Sequence, residues 1–98
     1  MITVILETEN NEVVAECGKA GNERYLIRDD PDFPMLSLLS EIDYDVFASS
    51  DMCGLIDELK ALRQRTNEED QLHIDEVMGL AARCRDEDGL TLTFTPFG

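Results

Sequence analysis

Apolar and β-branched residues occupy both parities of Ile2-Thr3-Val4-Ile5-Leu6, the pattern of a strand that is central in its sheet or covered on both faces. Asn10-Asn11 interrupts it. Glu12–Cys17 reads as a second strand, and Gly18-Lys19-Ala20-Gly21-Asn22 offers the positive-φ residues of a turn into a third, Arg24–Arg28. The two prolines of Asp29-Asp30-Pro31-Asp32-Phe33-Pro34 then end the ladder and leave an extended acidic connection. Behind Pro34, residues Met35, Leu38, Leu39 and Ile42 fall at i, i+3, i+4 and i+7, which predicts a short helix or 3₁₀ turn. Asp43–Phe47 reads as a tight connector.

Two longer helices follow. Met52, Leu55, Ile56, Leu59 and Leu62 form one apolar stripe, with Ser49 or Ser50 as the N-cap and Asp51 in the first turn. Thr66-Asn67-Glu68-Glu69 has the spacing of a capping box, after which Ile74, Val77, Leu80, Ala81 and Cys84 repeat with helical period. Asp86-Glu87-Asp88-Gly89 ends that helix. Leu90–Thr95 alternates strictly, as a strand with one buried and one wet face does, so it is placed beside the doubly apolar first strand. The expected fold is α+β: one domain over residues 1–98 with topology β-β-β-(short helix)-α-α-β. Its four-stranded, mostly antiparallel sheet has the order 4-1-2-3, with an αα-hairpin on one face.

Charge is more informative here than overall composition. Hydrophobic residues make up 43% of the 98 residues, enough for a core, while 22 Asp and Glu stand against 8 Lys and Arg for a net charge of −14. Such a balance argues against binding nucleic acid or anionic membrane surfaces, both of which need clustered bases. No apolar run approaches membrane-spanning length and no basic region precedes an apolar one, so a cytoplasmic protein is expected. Between Arg28 and Lys60 there is no base, yet nine acids lie there together with Phe33, Tyr44 and Phe47. A field of one sign with aromatic anchors can attract and hold a basic protein partner. The candidate contacts are Asp29, Asp30, Asp32, Phe33, Asp43, Tyr44 and Asp45.

Other chemistry is weakly supported. Cys17, Cys53, Cys84 and the single His73 lack the close pairs of a zinc site, and they are read as reduced thiols and a boundary histidine; Cys53 and Cys84 would fill gaps within their helices. No nucleophile elbow, phosphate-cradling glycine loop or metal-binding His pair is present, and Asp29-Asp30-x-Asp32 lacks the glycine and distal Glu of an EF-hand. No cofactor, metal or catalytic residue is assigned, and the protein is expected not to be an enzyme.

The run from Phe33-Pro34-Met35-Leu36 through Asp43-Tyr44-Asp45-Val46-Phe47, followed by Leu55-Ile56-Asp57-Glu58-Leu59, resembles a pattern in small bacterial proteins of unassigned function. In those, a Pro-Leu-Leu turn leads to an Asp and Tyr connector ending in Val-Phe and then to a Leu-x-x-Glu-Leu helix. Its small, acidic form is similar to that of immunity proteins, which implies neutralisation of a basic toxin domain. The expected function is therefore a non-catalytic acidic protein-binding domain of the immunity or inhibitor kind. The alternative is a self-associating structural or regulatory module, a homodimer formed through a sheet edge or the Thr-lined face of the last strand.

Overall fold

The computed structural model describes residues 1–97. Four strands form one antiparallel sheet: β1 (Thr3–Thr8), β2 (Val13–Gly18), β3 (Asp45–Ala48) and β4 (Leu90–Thr95), in the order β2-β1-β4-β3. The doubly apolar first strand is central, as its pattern requires, with Leu6 opposite Ala15 on one side and Leu92 on the other. Val4, Leu6, Leu92, Phe94 and Phe47 face inward and are buried, with the Phe47 and Phe94 rings edge to face at 5.6 Å. A short α1 (Glu23–Leu26) and two longer helices, α2 (Met52–Arg63) and α3 (Glu68–Asp86), complete the fold. The entire predicted stripe of α2 is buried; on α3, Ile74, Val77, Ala81 and Cys84 are buried and Leu80 is partly so. Those helices pack on each other, and α3 packs against β1, β2 and β4.

Several expectations need correction. Arg24–Arg28 is not a strand. The Asn22 side chain takes the backbone's place beside Ile2, accepting from its N–H at 2.7 Å and donating to its carbonyl at 2.7 Å, and the chain beyond turns into α1 with Tyr25 and Leu26 buried. Gly21 supplies the positive φ of the preceding turn (82°), whereas Asn22 is helical. Conversely, the presumed connector contains strand β3, which pairs Asp45 with Phe94 and Phe47 with Leu92 on the far edge of β4. The sheet therefore ends with β3 beside β4, and β2 is the opposite edge.

Smaller differences concern caps and fillers. The 3₁₀ turn Leu36–Leu38 forms, but it buries Leu36 and Leu39 and leaves Leu38 and Ile42 outside. Ser49–Asp51 is a 3₁₀ turn leading into α2, where the Asp51 carboxylate accepts from the Ala48 N–H at 3.0 Å. For α3 the cap is Asn67, which accepts from the Asp70 N–H at 2.8 Å, because the Thr66 hydroxyl instead donates to the Arg63 carbonyl. Cys53 is exposed, not a filler. No helix of the described residues is long and apolar enough to cross a membrane.

Candidate functional site

The acidic segment divides in two. Its first part is fastened down. Asp30 organises a tight turn, its carboxylate accepting from the Asp32 N–H at 2.9 Å and its carbonyl accepting from the Ser37 hydroxyl at 3.1 Å. The turn drives Phe33 inward to zero exposure, with the Arg28 and Arg65 guanidiniums over its ring at 5.2 and 5.0 Å. Arg65, just beyond α2, also reaches the carboxylates of Asp30 at 3.6 Å and Asp32 at 3.9 Å. Phe33 is thus a core residue held under two cations, and its ring is not presented to a partner as expected from the sequence. Asp29 is exposed.

Glu58 completes the fastening. This buried carboxylate accepts from the Met35 N–H at 3.0 and 3.1 Å and from the Leu36 N–H at 3.0 Å, tying the loop to α2. Its place on the inner side of α2 next to Leu55 and Leu59 was the only signal in the sequence, and a helical Glu is ordinarily read as solvated.

The second part, Ile42–Val46, enters the sheet through the backbone of Asp45 and Val46 but has no comparable fastening of its acidic side chains. Asp43 and Tyr44 are exposed, the Asp43 carboxylate accepting from the Tyr44 N–H at 2.8 Å. Asp45 is half-buried where β3 begins, and loss of hydration, followed by the like charge of Asp43, pushes its carboxyl above the usual range. Among the described residues neither carboxylate has an ion-pair partner, and no hydrogen bond or ion pair joins Asp29–Asp32 to Asp43–Asp45.

The placement of the bases in the fold makes this sharper. No strand carries Lys or Arg, so all 8 lie in helices and connecting segments. Five are already paired: Lys19 with Glu69 and Asp70, Arg63 with Asp75, Arg65 with Asp30 and Asp32, Arg83 with Glu87, Arg85 with Asp86. The Arg63 guanidinium holds the Asp75 carboxyl below its ordinary range. The register places Thr3, Ile5 and Glu7 of β1, Glu16 of β2, Thr93 of β4 and Val46 of β3 on the face opposite the core. There the Thr93 hydroxyl donates to Glu7 at 2.6 Å.

A buried polar cluster between α3 and the sheet was not foreseen. Both bonds to Ile2 fix the Asn22 amide, so its remaining N–H faces His73 Nε2 at 3.1 Å. Nε2 must therefore accept, which leaves the ring proton on Nδ1 to donate to Glu76 at 3.2 Å. His73 is 1% exposed, a core residue and not a boundary one, and the Tyr25 ring meets it edge-on. The Tyr25 hydroxyl is buried without a partner among the described residues, and burial pushes it up to about 12. Burial, helped by Glu76, pushes the Cys17 thiol up to about 11; burial also raises Cys84, whose thiol donates to the Leu90 carbonyl. That is opposite to the thiolate-favouring environment of a nucleophilic cysteine. Among the described residues no three His, Cys, Asp or Glu side chains are grouped to hold a metal ion.

No protein-family model, curated protein or solved structure matches the chain.

Proposed function

We propose that the protein is a non-catalytic acidic binding domain that holds a basic protein partner, as an immunity or inhibitor protein holds a toxin domain. The observation that carries this reading is the exposed Asp43 and Tyr44 beside the half-buried Asp45, two carboxylates without an ion-pair partner among the described residues, at the edge of a sheet whose strands contain no base. Carboxylates there would steer a basic surface and pair its Lys or Arg, with Tyr44 as a rigid anchor. Asp30 and Asp32 contribute less, because Arg65 already meets them. A cytoplasmic setting belongs to the same reading, since the three thiols are free.

The test is association kinetics with a basic protein domain, at low and at physiological salt. Replacing Asp43 and Asp45 by Asn is expected to slow association about tenfold at low salt and to flatten its salt dependence. A rate indifferent to salt and to both replacements discards the reading. The rival reading, self-association, is favoured by one feature, the exposed Val46 and Phe97 beside the open sheet face. Against it, a dimer would bring together two chains of −14 each. Sedimentation showing a stable dimer that buries Ile42–Val46 would transfer the assignment to it.

A further inference from the structure

The face of the sheet opposite the core carries a shallow depression of about 430 Å³, lined by Met1, Thr3, Ile5, Glu16, Gly18 and Phe97. Three features set it apart from a plain wet sheet surface. Its lining is part apolar and part polar, with the apolar side chains of Met1 and Phe97 each more than half exposed. It has one carboxylate, Glu16, opposite Ile5 in the ladder. Thr3, 9% exposed, lines it, and its buried hydroxyl oxygen has no hydrogen-bond partner among the described residues, although buried hydroxyls are ordinarily paired.

A long aliphatic stem ending in a cation satisfies all three features at once. Its methylenes cover Ile5, Met1 and Phe97, and its head pairs Glu16 and donates to the Thr3 hydroxyl, with the Phe97 ring available for a cation–π contact. The same chain is a poor source of that cation, because no strand holds a base and the copies repel. We infer that the depression receives a Lys or Arg side chain of the basic partner. This rests on the binding reading above and adds a point of contact on the open face, separate from Asp43–Asp45.

The experiment is an NMR titration of the full chain with a capped peptide of alternating Lys and Leu, and with the same peptide acetylated on every Lys. Saturable shifts at Thr3, Ile5, Glu16 and Phe97 that vanish with the acetylated peptide are expected. Glu16→Gln, an exposed and nearly isosteric change, should weaken binding about fivefold. If the acetylated peptide shifts these residues equally, or if Glu16→Gln binds as well as wild type, cation recognition by the depression is overturned. If the charged peptide shifts only Asp43–Asp45, the depression is overturned and the acidic binding reading survives. If it produces no saturable shift anywhere, both fall.

Discussion

Asp30–Leu36 and Ile42–Val46 belong to one base-free stretch of sequence and have opposite electrostatic fates. In the first, Arg65 meets two carboxylates, Phe33 lies under two guanidiniums and Glu58 holds the backbone from below. In the second, both carboxylates lack a cation among the described residues and Asp45 bears the cost of partial burial at a sheet edge. Nothing local distinguishes them, since both combine acids with an aromatic residue. The difference comes from where the end of α2 lands, which brings Arg65 beside Asp30. A charge deficit along a chain becomes a surface property only after the distant bases are placed.

The largest effect should come from Phe33→Ala. Truncating a fully buried Phe costs about 3–5 kcal/mol, a large share of the stability of a domain this size, and here it also undoes the seat of two cations. Chemical denaturation measures it; a loss below about 1 kcal/mol would mean that the ring is not part of the core. Next is Glu58→Gln. Its amide would turn an N–H toward the Met35 or Leu36 N–H, so a loss of about 2 kcal/mol is expected. A change within about 0.5 kcal/mol would break the contrast, because the first part would then not be pinned through α2.

What could be read from the chain follows from how each residue's neighbours are chosen. Ile2–Leu6 and Leu90–Thr95 carry their environments in their own periodicity, and their adjacency followed from it. The stripes of α2 and α3 were equally plain, because helix burial repeats over many residues. β3 was not legible: four residues with one buried side chain give no period, and their pairing is decided by the free edge of β4. Arg24–Ile27 has the composition of a strand, but Asn22 occupies the hydrogen-bonding groups of Ile2, and burial of Tyr25 and Leu26 overrides propensity. At the candidate site, Asp43 and Tyr44 are exposed. The burial of Phe33 depends on the three-dimensional position of Arg65, which no local pattern contains.

Arg65→Gln should have a smaller effect. It removes weak ion pairs and one cation–π contact, so a loss of about 0.5–1 kcal/mol is expected. More telling is its effect on binding. Freed of Arg65, Asp30 and Asp32 resemble Asp43 and Asp45, and association with a basic partner should quicken at low salt while losing the gain at high salt. Slower association would show that Arg65 itself touches the partner.

The smallest expected change, Asp45→Asn, is the most informative in sign. The folded chain binds a proton at Asp45 more tightly than the unfolded chain does, because burial disfavours the ionised form and Asp43 adds a like charge. Its favourable contribution is therefore present in full below the unfolded carboxyl pKa and is lost as pH rises through the folded value. At neutral pH the wild type carries that cost and Asp45→Asn does not. The variant should be at least as stable as wild type near pH 7, with the difference shrinking below about pH 4. Asp75→Asn should show the reverse: its carboxyl is lowered by Arg63, so its contribution is present above the unfolded pKa and lost as pH falls. Denaturation curves at several pH values separate the two. On the binding reading proposed above, a carboxylate that costs stability at the edge of the sheet is the one whose replacement should slow capture of a basic partner, unlike the pinned acids. Should Asp45→Asn lose stability at neutral pH, Asp45 would belong with the pinned acids instead.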